Sequence, residues 1–419
     1  MRTLLDTVVR SRVRSTSTQP RHFSLIDFGT DTVKAVVVRR EKRGVRVLGY
    51  GFAAAEGRGL SSRRADVAAL AATAEEALVA AEDSTADNGQ GKVVPDEAIF
   101  CLPARLTRGE CFSVQQTRPD PATPITAREL KSAWERVERL SRERLALPGE
   151  DQTAWKPLAI APCIPVVDGH HVTDPVGLKG REISISAFGV AVLPSALRAA
   201  EGVAERLDLR LINTVAAPQA LASIAPQRDA ILIDVGVQGT SLHLIHHDAL
   251  VSTCWWAQGG EFFTESMAWT FRCSSQEAEA LKRAYAHQAL SAQDSALVAR
   301  SLADPVAIWM EGLVARLRQM SAAEANHRPA HTPMSSNGTE ALPGRIYLSG
   351  GGSLLPDLSQ ALRSLEMATS LSFRRSLEIE PLGLRLGVRA RGRPPLLDVP
   401  PHPACDLLAS AISLATCLT

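Results

Sequence analysis

Three short glycine-rich turns, each directly after an apolar run, are the residues here best suited to chemistry. They are Asp27-Phe28-Gly29-Thr30, the stretch from Asp234 through Gly236 and Gly239 to Thr240 and Ser241, and Gly350-Gly351-Gly352-Ser353. Glycine lets a backbone approach a ligand closely, and consecutive amide N–H groups in such turns form concave sites for phosphate. The hydroxyls of Thr30, Thr240, Ser241 and Ser353 add donors. Asp27 and Asp234 stand at strand ends. An aspartate there repels phosphate by itself, but it can hold the water shell of a Mg²⁺ ion that binds phosphate. The combination is that of a nucleotide clamp. Walker-type spacing is absent, so a P-loop is excluded.

The elements that must carry these turns can be read from apolar periodicity. The segment from Phe23 to Arg40 reads as strand, tight turn and strand, followed by a third apolar run at Val45–Tyr50. Asp66–Ala81 reads as an amphipathic helix and Asp83–Lys92 as a polar loop. A separate small α/β unit is expected between Asp96 and Val192, with a strand near Ile99 and a Pro-rich connection. Its helix runs from Thr126 to about Ala146, opened by a Thr126/Glu129 capping box, and strands follow at Ala159–Val167 and Ile183–Val192. Next come a helix at Pro194–Leu207, a strand at Arg210–Thr214, a helix from Pro218 and the apolar strand Ala230–Gly236. Residues 261–320 read as mostly helical, and Gly344 to Leu358 as strand, glycine-rich turn and helix. This alternation predicts α/β layers, and no sequence repeat of fixed period is present.

The order of the three turns resembles the two phosphate loops and the adenosine loop of the actin, hexokinase and DnaK-type chaperone superfamily. Within it the sequence resembles the FtsA family of bacterial cell-division actin homologues. The matching stretches are Asp174-Pro175-Val176-Gly177-Leu178-Lys179-Gly180-Arg181-Glu182, Gln258-Gly259-Gly260-Glu261 with Thr264, and Ala278-Glu279-Ala280-Leu281-Lys282. The resemblance implies a two-lobed actin-like ATPase fold, α/β in class, with a small inserted strand-helix-strand-strand domain. A basic amphipathic tail is read from the residues at 1–22, and the resemblance places one lobe at 23–95 and 193–227 and the insert at 96–192. The second lobe then covers 228–403 with a flexible loop at 327–342, and 404–419 form a closing helix of the first lobe. ATP and Mg²⁺ are the implied ligands, held by Asp27, Gly29, Thr30, Lys34, Asp234, Gly236, Thr240, Ser241, Gly260, Gly350, Gly351, Gly352 and Ser353. Glu279 and Lys282, three apart on one helix face, are implied to reach the nucleoside.

Departures from the family pattern matter as much. Val237 and Gln238 stand where relatives carry glycine, and Asp31 places a charge near phosphate that Mg²⁺ or Lys34 must compensate. Ala217, before Pro218, replaces the Glu or Gln that orients the attacking water in relatives. Slow or absent hydrolysis is therefore expected. The implied role is an ATP-binding scaffold that self-associates and links a tubulin-like division ring, or other division proteins, to the membrane. A PilM-like pilus-assembly protein binding a short peptide of an inner-membrane partner is the alternative. A sugar or acetate kinase is disfavoured, because no catalytic acid is recognisable.

Bulk composition bounds the rest. Among 419 residues, 46 basic and 45 acidic ones nearly cancel, so no global field gathers nucleic acid. Seven scattered cysteines without Cys-x-x-Cys read as reduced cytosolic residues. No apolar run has the length of a spanning helix, so any membrane contact is expected to be peripheral. Leu4, Leu5, Val8 and Val9 among Arg2, Arg10, Arg12 and Arg14 suit an anionic membrane surface, although a disordered basic tail or a transit peptide has the same composition. His243, His246 and His247 are expected as solvated strand positions, Trp255 and Trp256 as a buried hairpin end, and the arginines from Arg374 to Arg393 as a solvated face.

Overall fold

The apolar runs flanking the first two turns become hairpins at the centres of two sheets. The computed structural model describes residues 22–41, 44–55, 59–60, 66–86, 91–148, 154–326, 341–364 and 371–382. The chain begins with β1 (His22–Phe28), β2 (Thr32–Glu41), β3 (Gly44–Ala54), helix α1 (Val67–Ala86) and β4 (Glu97–Leu102). It continues through β5 (Thr107–Thr117), α2 (Ala127–Ala146), β6 (Lys156–Pro162), β7 (Val166–Val167), β8 (His170–His171) and β9 (Glu182–Val192). Then follow α3 (Pro194–Arg206), β10 (Arg210–Ala216), α4 (Ala217–Ile224), β11 (Ala230–Val235), β12 (Thr240–His246) and β13 (Ala249–Trp256). The described part ends with α5 (Gly260–Phe271), α6 (Ser275–Ala286), α7 (Ala292–Asn326), β14 (Arg345–Ser349), α8 (Pro356–Arg363) and β15 (Glu378–Pro381).

The first sheet has the order β10-β4-β1-β2-β3 and the second β13-β12-β11-β14-β15. Each is an antiparallel three-strand meander whose first strand also pairs in parallel with a later one, β1 with β4 and β11 with β14. The two lobes thus share one topology without a sequence repeat. Strand alternation then aims the aspartates. Ile26 and Phe28 pack beneath α1 and α3, whereas Leu25 joins an apolar cluster with Leu232, Ile245 and Tyr347 of the second sheet. Asp27 shares the face of Leu25, and Asp234 that of Leu232, so both carboxylates face the interval between the lobes. The second lobe's outer core packs Ile231, Ile233 and Val235 against Trp309, Leu313 and Leu317 of α7.

The third sheet, β5-β9-β7-β8 with β6 also on β9, is covered on one face by α2 through Leu130, Trp134, Val137 and Leu145. The expected capping box is present, with Glu129 N–H donating to Thr126 Oγ1 at 3.2 Å and Thr126 N–H to Glu129 Oε2 at 2.7 Å. Strand β4 differs from expectation. It pairs in parallel with β1 and β10, so the strand at Ile99 belongs to the first sheet and the third sheet starts at Thr107. The expected Pro-rich connection contains an eleven-residue strand, β5, paired along its whole length with β9. Helix α1 runs on to Ala86, past the expected loop start, and the Ser84 hydroxyl accepts the Tyr50 amide at 2.8 Å to fasten it to β3.

The N-terminal tail with Leu4, Leu5, Val8 and Val9, the loop at 327–340 and the segment 383–419 lie outside the described residues. Among the described residues no helix is long and apolar enough to cross a membrane.

Candidate functional site

The three glycine-rich turns, distant in sequence, converge on one cleft of about 300 Å³ between the first and second sheets. Its walls include Asp27, Gly29, Thr30 and Lys34 from the first lobe. Opposite stand Asp234, Gly236, Ser241, Gly260, Glu279, Lys282 and Gly350 to Gly352. Glycine is required at the third turn. Gly350 has φ +82°, and a Cβ there would lie 2.5 Å from Val235 O and 2.8 Å from an Asp234 carboxylate oxygen. Gly29 is similarly confined, since a Cβ would come within 2.4 Å of Thr32 O.

Charge is concentrated at the cleft floor. Lys34 Nζ donates to Asp27 Oδ2 at 2.9 Å. Burial by itself lowers the Lys34 pKa, but Asp27 and, secondarily, Asp234 outweigh it and hold the ammonium above its ordinary value. Burial raises the Asp234 pKa, and the Asp27 charge adds to that, against the opposing pull of Lys34 and a Ser349 hydrogen bond. At the floor, Asp27 and Asp234 thus share the Lys34 ammonium.

Asp31 is compensated by a group that sequence reasoning missed. Arg283 of α6 reaches across the mouth of the cleft to Asp31 Oδ2 at 3.4 Å and also donates to Glu279 Oε1 at 2.8 Å. Glu279 and Lys282 line the cleft, yet their polar atoms are engaged within the protein. Lys282 Nζ donates to Gly260 O at 2.8 Å and Thr264 Oγ1 at 2.6 Å, and pairs with Glu279 Oε2 at 2.6 Å. Gly260 in turn donates its amide to Gly236 O at 2.8 Å, so this network fastens α5 and α6 to the second turn. Burial opposes the charge on Glu279, but hydrogen bonds from Arg283, Lys282 and Thr264 prevail and bring its pKa to about 2. A depressed carboxylate pKa contributes stability above the unfolded value and loses it as pH falls through the folded one. Acid titration is thus expected to loosen α5 from α6 between about pH 4.3 and the folded value. Amide hydrogen exchange in the two helices, compared with Glu279→Gln, checks this: the substitution should flatten that pH dependence.

Two expected ligand residues do not line the cleft. Thr240 points the other way, as alternation within β12 demands, donating to Gln258 O at 2.6 Å and accepting from Trp309 Nε1 at 2.9 Å. The Ser353 hydroxyl donates to Gly350 O at 2.6 Å and braces the third turn from behind. The second turn is closed by its own backbone, with Gly236 N–H donating to Gly239 O at 3.0 Å. Beside it the Trp255 ring packs on Gly239 and forms part of the cleft wall. Trp255 is 37% exposed, so only Trp256 matches the expected buried hairpin end.

The histidines also differ from expectation. His243 and His246 are buried, not solvated. His243 bridges Ser241 Oγ at 3.0 Å and Thr253 Oγ1 at 2.7 Å, and burial drives its pKa down to about 3, so it is neutral. His246 contacts Asp229 Oδ1 at 2.9 Å, where Arg374 also approaches at 3.7 Å. Arg374 is therefore engaged with the second lobe, and Arg385 to Arg393 lie outside the described residues.

No protein-family model matches the sequence, and no curated protein matches it. Solved structures do. A PilM–PilN type IV pilus biogenesis complex superposes with TM-score 0.60 at 17% identity, over 94% of this chain and 97% of that one. The ethanolamine utilization protein EutJ from Carboxydothermus hydrogenoformans gives 0.46 at 13% identity, over 97% and 93% of the two chains. A diol dehydratase-reactivating factor gives 0.48 at 10% identity, over 95% and 99%. The fold is that of the actin-like ATPases: α/β, with two sheets of equal topology facing a cleft and a small third sheet.

Proposed function

We propose that this chain is a nucleotide-binding scaffold that takes up ATP with Mg²⁺ in the interlobe cleft, hydrolyses it slowly, and docks on a protein of a membrane-associated assembly. The observation that carries the reading is the convergence of the three glycine-rich turns with Lys34, Asp27 and Asp234 in that cleft. The residues present suit the ligand. The floor offers an ammonium to phosphate and two carboxylates to the water shell of a divalent cation, and glycine lets the turns fold tightly where a Cβ would strike Thr32 O or Val235 O. Magnesium would supply charge neutralisation between the acids and the phosphates.

A pilus assembly is the favoured context, supported by the likeness to the PilM–PilN complex over nearly all of both chains. The resemblance of Asp174–Glu182 to the FtsA family supports a second reading, in which the partner is a tubulin-like division protein, the chain self-associates and contact with the membrane is peripheral. Affinity purification of the tagged chain from its own cells, read by mass spectrometry, separates the two by the partner recovered.

Nucleotide binding is tested by calorimetric titration of MgATP into the wild type and Gly350→Val. Wild-type binding is expected, with the variant at least about tenfold weaker, because a side chain at a positive φ against Val235 O displaces the turn. Equal affinity in the two proteins would remove the third turn from the site.

A further inference from the structure

Among the lysines and arginines lining the cleft, three have acidic partners: Lys34 has Asp27, Lys282 has Glu279, and Arg283 has Asp31 and Glu279. Arg105 has none. It sits in the short 3₁₀ turn Ala104–Leu106 that leads from β4 into β5, and it lines the cleft. One guanidinium nitrogen, Nη2, donates to Leu60 O, while Nε is buried with no hydrogen-bond partner. Burial alone lowers its pKa, with no carboxylate to offset it. An arginine carries five N–H donors, and a half-buried charge without a counter-ion is costly unless something anionic completes the site.

Placement says which part of a ligand it meets. Strands β1, β4 and β10 run parallel, and their C-terminal ends present the Gly29–Thr30 turn, Pro103–Arg105 and Ala217 side by side on the first-lobe wall. Gly59, next to Leu60, packs on Thr30 O, so the carbonyl that holds Arg105 is itself fixed behind the first turn. Phosphates that meet Lys34 and the Gly29–Thr30 turn would therefore lie on the same wall as Arg105.

We infer that Arg105 recognises the terminal phosphate of a nucleoside triphosphate, so that the cleft distinguishes tri- from diphosphate. This rests on the nucleotide reading above. A guanidinium suits the task, because its planar fork meets two phosphate oxygens at once.

The test is calorimetric titration of MgATP and MgADP into the full chain as wild type, Arg105→Gln and Arg105→Lys, with circular dichroism confirming the fold. The wild type should prefer ATP. Arg105→Gln should weaken ATP by about tenfold or more and ADP by less than about threefold, with Arg105→Lys intermediate. Should the Gln variant fail to fold, the Lys variant carries the comparison, with loss of part of the ATP preference expected. Equal weakening of ATP and ADP, or none, overturns the inference while leaving nucleotide binding intact. A wild type that binds neither nucleotide overturns both.

Discussion

Replacing Lys34 with methionine is expected to lower stability by about 3 kcal/mol and to weaken MgATP binding by about a hundredfold. Methionine keeps the aliphatic stem and removes only the ammonium that lies 2.9 Å from Asp27 Oδ2. Asp27 and Asp234 would then face the same space without the ammonium they share in the wild type. Breaking a buried pair costs more than the pair contributed, since the remaining charge stays behind. The figure sits at the lower end of the usual range because the Lys34 side chain keeps 18% of its surface accessible through the cleft. The pH dependence follows from the signs. Lys34 has a raised pKa, so its contribution is complete below the unfolded value of about 10.4 and is lost only as pH rises through the folded one. Asp234 has a raised pKa, so the folded protein takes up its proton more readily than the unfolded one, and acidification relieves repulsion there. Lys34→Met should therefore regain stability as pH falls through the carboxylate range, and Lys34→Met/Asp27→Asn should regain it at neutral pH without recovering ATP affinity. Thermal melts and calorimetry on the two variants decide the matter. Unchanged nucleotide affinity in Lys34→Met would place the phosphates elsewhere.

Local punctuation made the turns legible in the sequence, because Gly29, Gly236 and Gly350 follow apolar strands directly and their roles depend on backbone freedom close at hand. Alternation also selects between the two hydroxyls of the second turn. Thr240 and Ser241 are adjacent in a strand, so only one of them can face the cleft, and the register with Asp234 selects Ser241. Tertiary pairing was not legible. Nothing in Glu97–Leu102 says that its partners are β1 and β10 and not the strands that follow it. Thr107–Thr117, TRGECFSVQQT, lacks a clean apolar alternation because it lies at the edge of the third sheet, where only part of it is covered. The burial of His243 likewise depends on Thr253, which the β12–β13 register brings opposite it. Arg105 and Arg283 read as ordinary basic residues in sequence. Their significance arises only when β4 and β10 end side by side and α6 closes over the first turn.

Introducing a polar side chain at position 217 is expected to accelerate a slow reaction. Ala217 is the first residue of α4, directly after β10, and its buried methyl lines the cleft on the same wall as Lys34. A methyl group neither donates nor accepts a hydrogen bond, so no side chain at this position holds water in line with a phosphate. Positioning and electrostatics are nearly all that a protein contributes to phosphoryl transfer, so the wild type should turn over well below about 1 s⁻¹. Ala217→Gln should raise that rate about tenfold to a hundredfold by orienting the attacking water, at a packing cost of about 1–3 kcal/mol for the larger side chain. Ala217→Leu supplies the control, since it adds comparable bulk without a hydrogen-bonding group. Phosphate release at saturating MgATP, with melts to confirm folding, separates the possibilities. If the Gln and Leu variants hydrolyse at the same rate, or the wild type already runs near 1 s⁻¹, then water is positioned by some other group in the cleft. Ala217 would then not be what limits turnover.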